Sequence, residues 1–328
     1  MNTAGTNKER EILRQMHNGI KYKVEPENPD DFKDWRRINA RIGRGAGVGF
    51  SYDERYTGCD VAVMLGSWKP SRDNLHHIIR NDIAKKSNCF VCIETPLLGR
   101  LVKKDNSYHR VGINGFLNRS AIFTEGRDYP GDRFTKLRIP YEGWKTNRGD
   151  KIVIALQLAG DASLRHNDIN EWCIDTVNKI RMFSDRPIEI RTHPAISDKG
   201  MGNHDALVRH FAFGDYQRVS FVNGRNISWE KHINTAHCVV AYTSGLSIDA
   251  VIHGIPVIAC DEGNFAWNVC ERRIESIENP GMAREENVQQ WLNNLAYCQW
   301  TPTEMETGEC WDHLKNSIET ILNQDNEE

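Results

Sequence analysis

The sequence predicts a two-domain α/β protein built on doubly wound, parallel sheets. Three observations point there. The chain has 328 residues, 39% of them hydrophobic and 27% charged, an ordinary globular composition on a chain longer than one core usually grows. Apolar runs of strand length alternate with amphipathic helix patterns in both halves, as parallel sheets require. A polar break, "RGD" at 148–150, separates the two runs of alternation.

Residues 1–38 are polar, with "EPENPDD" as a loop. The glycine-rich "GRGAGVG" (43–49) has GxGxG rather than GxGxxG spacing and follows no strand, so it reads as a flexible loop. "CDVAVMLGSW" (59–68) is a buried strand ending in a glycine turn. In 71–87, Leu75, Ile78, Ile79 and Ile83 recur at helical spacing. "NCFVCIET" (88–95) is the next strand, and 99–148 lacks clear periodicity. Long irregular stretches in compact domains are often functional.

The second half restarts with the strand "KIVIALQ". A helix over 166–184 carries Ile169, Trp172, Cys173, Val177 and Ile180 on one face. "RPIEIRTHP" is a strand stopped by proline, "ALVRHFAF" a helix, "RVSFVN" a strand and "ISWEKHINTA" a helix. "HCVVAYTSG" is strand plus turn, "LSIDAVIHG" a helix and "IPVIAC" a strand. The tail, 284–300 and 311–322, reads as two helices. The expected domains are 1–148 and 149–300, followed by a helical segment over 301–328.

Net charge is −3, which argues against a generic nucleic-acid binder, yet the halves differ. Residues 1–150 hold 27 Lys and Arg against 19 Asp and Glu, a net +8, which leaves −11 for 151–328. Such asymmetry suits a different ligand for each half. The nine cysteines are scattered through apolar runs, as reduced, buried thiols are. Cys89 and Cys92 form one C-x-x-C, but in a strand residues three apart point to opposite faces, and no second pair completes a zinc site. No run reaches the ~20 apolar residues of a membrane span, and the N-terminus lacks a signal-peptide core. The expectation is a soluble, cytoplasmic protein, monomeric or weakly dimeric.

In an open parallel sheet, ligands sit outside the carboxyl ends of the strands. "TSG" (243–245) lies there, before a helix whose first N–H groups are unpaired. Gly245 permits close backbone approach, and the hydroxyls of Thr243, Ser244 and Ser247 add donors. That makes a phosphate cradle; a plain helix N-cap at Ser244 is the alternative. Asp249, one turn in, suits a local cap or a sugar hydroxyl. Arg191 and His193 end another strand two residues apart, sharing a face, and both suit a diphosphate. Gln157 ends the first strand of this half, and Asp161 and Ser163 follow it. Asp261, Glu262 and Asn264 follow "IPVIAC". Four strand ends thus carry polar groups on apolar strands. No GxxxxGK[ST] is present.

"RTHP", "YTSGLSIDAVIHGIPVIA" and "DEGNFAW" resemble the nucleotide-sugar domain of GT-B glycosyltransferases. They are similar to the capsule-polysaccharide and Kdo-type transferase group, in which R/K-x-HP precedes S-S/G-x-x-x-EA-x-x-x-G-x-PV. Asp249 stands where that group has Glu. The layout is also similar to glycosyltransferase-like proteins of tailed phages, some of which glycosylate modified bases such as hydroxymethylcytosine in viral DNA. The resemblance covers about 151–270. It implies two Rossmann-like domains facing a cleft, and C-terminal helices crossing back to the first domain. It also implies a nucleotide-diphosphate sugar, with UDP the expected nucleotide, as co-substrate without an obligatory cofactor or metal. The enzyme would then be a hexosyl- or pentosyltransferase. Ser244, Gly245, Arg191 and His193 fall to the diphosphate. Gln157 and 261–264 fall to nucleoside or sugar, with Trp267 packed near the sugar.

Transfer also needs a base for the acceptor hydroxyl, expected from the first domain. Glu94 ends the strand "CFVCIE" and is the first choice, with Asp60 second. Arg100, Lys103, Lys104, His109, Arg110 and Arg119 open a basic run that continues through Arg133 to Arg148, with Tyr108, Phe116, Phe123 and Trp144 interleaved. Basic residues among aromatics suit a phosphate backbone and an extruded base, so double-stranded modified DNA is the expected acceptor. A capsule-type glycan transferase and a nucleotide-sugar 2-epimerase are the alternatives.

Overall fold

A computed structural model of the chain describes residues 2–3, 51–52, 56, 58–66, 75–99, 107–141, 143–165, 167–194 and 204–324. "GRGAGVG", Arg100, Lys103 and Lys104 lie outside them. Two compact units divide the chain. The first comprises 1–116, 120–137 and 292–328; the second comprises 117–119 and 138–291.

The first unit holds β1 (Asn2–Thr3), β2 (Ser51–Tyr52), β3 (Ala62–Leu65), α1 (Leu75–Lys86), β4 (Phe90–Glu94), β5 (His109–Ile113) and α2 (Asp132–Leu137). Its sheet has the order β11-β5-β4-β3-β1-β2, where β11 is Gln299–Trp300. β1 to β4 are mutually parallel, but β5 runs antiparallel to both β4 and β11. The sheet is therefore mixed. β3 and β4 are buried on both faces, as their unbroken apolar runs require. The C-terminal helices α8 (Pro302–Thr307) and α9 (Glu309–Gln324) belong to this unit. Cys310, Leu314 and Ile318 of α9 pack with Val63, Val91 and Val111 of the sheet.

The second unit follows the predicted alternation closely. It holds β6 (Lys151–Ala155), α3 (Ile169–Arg181), β7 (Ile188–Arg191), α4 (Asp205–Phe213) and β8 (Val219–Val222). It continues with α5 (Trp229–Ile233), β9 (Ala236–Ala241), α6 (Leu246–Ile252), β10 (Val257–Ala259) and α7 (Glu285–Ala296), the last of which runs into the first unit. The order β10-β9-β6-β7-β8 is parallel throughout. Ile169, Cys173, Val177 and Ile180 of α3 face Ile152, Ile154, Ile188 and Ile190 in one buried cluster. Asp168 caps that helix by accepting from the N–H of Asn170 (2.7 Å) and Glu171 (3.3 Å).

The units divide at Leu137/Arg138 rather than at the expected 148/149. Trp144 explains the shift, because its Nε1–H donates to Ala283 O (2.8 Å) and so ties the segment before "RGD" into the second unit. The expected third segment begins earlier, at Leu292. The helix read over 284–300 stops at Ala296, and Gln299–Trp300 pair with β5.

All nine cysteines are free thiols. Burial pushes those of Cys238 and Cys298 up to about 12 and Cys92 higher still, which makes them packing groups, not nucleophiles. Among the described residues no helix is long and apolar enough to cross a membrane, and no cluster of His, Cys, Asp or Glu could hold a metal ion.

Candidate functional site

The strand order of the second unit reverses beside β6, since β7 continues to one side and β9 lies on the other. A crevice opens at such a reversal outside the carboxyl ends of the strands. Register carries Gln157 and Thr243 to this point together, because Ala155 pairs with Ala241 two residues earlier on each strand. Gln157 Nε2 donates to Thr243 Oγ1 (3.0 Å) and Ser163 Oγ (2.6 Å). Gln157 Oε1 accepts from Thr243 N (3.1 Å). Asp161 caps the turn Ala162–Leu164 and accepts from the N–H (2.9 Å) and hydroxyl (2.7 Å) of Ser163. Both Gln157 and Thr243 are buried. They form a rigid polar floor joined across the reversal.

A cation crosses above β9. Arg165 ends the same turn in the left-handed region, at φ 48. Its Nη2 donates to Asp261 Oδ2, beyond the end of β10. The phenol of Tyr242 accepts from Asn167 Nδ2 (2.6 Å) and lies within reach of both charges. Burial first, then the Asp261 charge, pushes the Tyr242 phenol up. Asp261 Oδ1 accepts from Gly263 N (2.7 Å). The loop past the first strand pointed to Asp161 and Ser163 in the sequence. Arg165 and Asn167 lie two and four residues further and were missed.

Other expected ligand groups are used internally. Ser247 is fully buried, and its hydroxyl lies against Asn264 Oδ1 (2.6 Å) and Ser244 O (2.8 Å). Asn264, also fully buried, donates to Tyr242 O (2.9 Å) and accepts from Ala266 N (3.0 Å). These two lock the loop after β10 onto the start of α6. Ser244 and Gly245 remain half-exposed, and Ser244 Oγ accepts from Leu246 N (3.3 Å). Asp249 is half-buried on α6. Glu262 is exposed and lies 3.9 Å from Arg119. The Arg272 guanidinium stacks on the Trp267 ring at 4.8 Å.

Arg191 corrects the expected diphosphate contact most clearly. Its side chain shares a face with Glu189, and only 5% of the residue is exposed. Nη2 donates to Gly224 O (3.0 Å) and Ile227 O (2.8 Å), and Nη1 to His232 Nδ1 (3.2 Å). Arginine can only donate, so His232 Nδ1 accepts and Nε2–H donates to Glu189 Oε2 (2.5 Å). Lys151 Nζ completes the chain at 2.7 Å from the same oxygen. Arg191 thus satisfies carbonyls of the loop between β8 and α5. Arg191→Met should cost about 2–3 kcal/mol, because buried acceptors lose a charged donor, and should leave nucleotide affinity unchanged. A variant as stable as the parent that no longer binds nucleotide would return Arg191 to the ligand. His193 is half-buried, two residues past the anchor.

In the first unit Glu94 stands at the carboxyl end of β4. It accepts from Thr95 N (3.1 Å) and lies 4.0 Å from Arg110 Nη2. Asp60 is exposed and precedes β3, which runs parallel to β4. The two carboxylates therefore sit at opposite ends of the sheet, roughly 20 Å apart at ~3.3 Å per residue, and cannot serve one reaction centre.

The expected basic acceptor surface does not hold together among the described residues. His109 and Arg110 are half-buried in β5, and Arg119 is exposed. Arg133 is buried, and so are Phe116 and Phe123, which therefore offer no ring to a base. Aromatics near arginines mark a packed core here as readily as a nucleic-acid face, and burial separates the two cases.

No family model and no curated protein matches the chain. Solved structures do align with it. A beta Kdo 2,7 transferase, KpsC of Thermosulfurimonas dismutans, is 13% identical at a TM-score of 0.46, covering 94% of this chain and 98% of that one. The beta Kdo 2,4 transferase of the same name and organism is 11% identical at 0.43, covering 90% and 97%. A UDP complex of TarM from S. aureus is 10% identical at 0.34, covering 80% of this chain and 50% of that one.

Proposed function

We propose that the protein is a glycosyltransferase whose second unit binds a nucleotide-diphosphate sugar at the carboxyl ends of β6, β9 and β10. One observation carries this reading. Polar side chains from three strand ends converge where the strand order reverses, on Gln157, Thr243 and the Arg165–Asp261 pair. A diphosphate needs a cation and several donors there, and the half-exposed Ser244 and Gly245 supply hydroxyl and backbone N–H. UDP is the assigned nucleotide. Glu94 is the assigned general base for the acceptor hydroxyl. The pattern "RTHP" with "YTSGLSIDAVIHGIPVIA" supports the same chemistry.

The test is a thermal-shift panel of nucleotide sugars, followed by transfer assays on hydroxymethylated DNA, glycan and small hydroxyl acceptors. At 100 times Kd a true donor adds about 2.7 kcal/mol of stability. Ser244→Ala should fold normally and weaken donor binding by about fivefold to tenfold, the worth of one hydrogen bond of ~1–1.4 kcal/mol. Glu94→Gln should slow transfer while donor binding stays at the parent level. A panel in which no nucleotide or nucleotide sugar stabilises the protein would defeat the reading. Transfer to glycan but not to DNA would assign a glycan acceptor. Sugar released without any acceptor would favour the epimerase alternative.

A further inference from the structure

Arg165 and Asp261 hold each other across the strand ends. The arginine is left-handed at its backbone, and its side chain spans from the end of β6 to the end of β10. About a third of that side chain is exposed, against 13% of Asp261. The Tyr242 phenol, held by Asn167 Nδ2 (2.6 Å), lies within reach of both charges. The alternative cation at these strand ends, Arg191, is committed to two backbone carbonyls and a histidine. Asp261 has a second duty in its own loop, since its other oxygen accepts from Gly263 N. It can therefore lose the arginine and keep its place.

Resting on the donor reading above, we infer that Arg165 is the cation that receives the diphosphate, and that Asp261 is an internal stand-in for it. Anion binding exchanges one carboxylate partner of the guanidinium for a phosphate oxygen. The exchange neutralises the incoming charge, and the carboxylate covers the cation whenever no anion is bound. It also releases one Asp261 oxygen, beside the phenol of Tyr242, to accept from a ligand hydroxyl. The internal carboxylate competes with the ligand, so the pair sets affinity in both directions.

The sign of the Asp261 effect makes this testable. Binding is measured by calorimetry with UDP, and with inorganic pyrophosphate as the probe for the anionic group alone. Arg165→Met should weaken both probes by about tenfold or more, as the loss of a charge-assisted contact does. Arg165→Gln keeps a polar side chain and serves if the methionine variant does not fold. Asp261→Asn preserves the acceptor for Gly263 N but turns a donor toward Arg165. It should tighten pyrophosphate by up to about fivefold, the worth of one partly exposed ion pair. With Arg165 already replaced, Asp261→Asn should add nothing. Parent-like binding in both Arg165 variants would overturn the inference while leaving the donor site in place. So would weaker pyrophosphate binding in Asp261→Asn. A parent protein that binds neither UDP nor any other nucleoside diphosphate would overturn the donor reading, and this inference with it.

Discussion

Arg133→Met should destabilise the first unit by about 3–5 kcal/mol, the usual cost of leaving half of a buried ion pair behind. Arg133 projects from α2, and its guanidinium makes four bonds to the C-terminal segment. Nη1 and Nη2 grip the two carboxylate oxygens of Glu304 (2.7 and 3.1 Å). Nε donates to Ala296 O (3.2 Å) and Nη2 to Gln299 O (2.8 Å). The same guanidinium stacks on the Trp300 ring at 4.1 Å. Burial pushes the Glu304 carboxyl up, but Arg133 and the amide of Thr301 outweigh it and hold it below its ordinary range. Without Arg133 that balance reverses, and two backbone carbonyls lose a charged donor. The pin fixes β11, which closes the edge of the sheet against β5. Urea denaturation followed by tryptophan fluorescence reads the loss. The double variant Arg133→Met, Glu304→Met should recover much of it, since a buried pair is often replaceable by apolar groups of similar size. A single variant within 1 kcal/mol of the parent would show that the pin carries little of the fold's stability.

Acidification from pH 7 to 5.5 should lower stability, before the carboxylates titrate. Burial is the first cause that lowers the pKa of His204, His232, His237 and His313. Two donate to backbone carbonyls: His237 Nε2 lies 2.9 Å from Ile277 O, and His313 Nε2 lies 3.0 Å from Phe123 O. His232 has an arginine on its acceptor nitrogen. A base with a depressed folded pKa binds fewer protons folded than unfolded, so stability rises with pH. The stabilisation is fully present above the unfolded value of ~6.5. It is lost below that value at up to ~1.4 kcal/mol per pH unit per histidine, until the folded pKa is passed. Carboxylates with lowered values, such as Glu189, Glu278 and Glu304, act only below the ordinary carboxylate range near ~4.3. The window between pH 5.5 and 6.5 therefore belongs to the histidines. A urea midpoint that stays flat across it would contradict the buried-neutral assignment.

The sequence by itself determined the alternation of the second unit. Short unbroken apolar runs bounded by turn residues read as strands buried on both faces, and α3 shows its helical period openly in Ile169, Cys173, Val177 and Ile180. The polar strand ends at Gln157, Thr243 and Asp261 were legible for the same local reason: composition changes where a strand leaves the core. Only the tertiary structure decided which of those polar groups are spent on internal partners. Arg191 and Ser247 look like ligand groups until their partners are known, and those partners lie 41 and 17 residues away. Arg165 looks like an ordinary loop residue until Asp261, 96 residues on, comes to its guanidinium. The reversed strand β5 and the pin at Arg133 escaped for the same reason, since antiparallel pairing and ion pairing are long-range. Periodicity records what each residue does against its own element. A charged side chain's role depends on which distant acceptor reaches it first, and the folded backbone settles that.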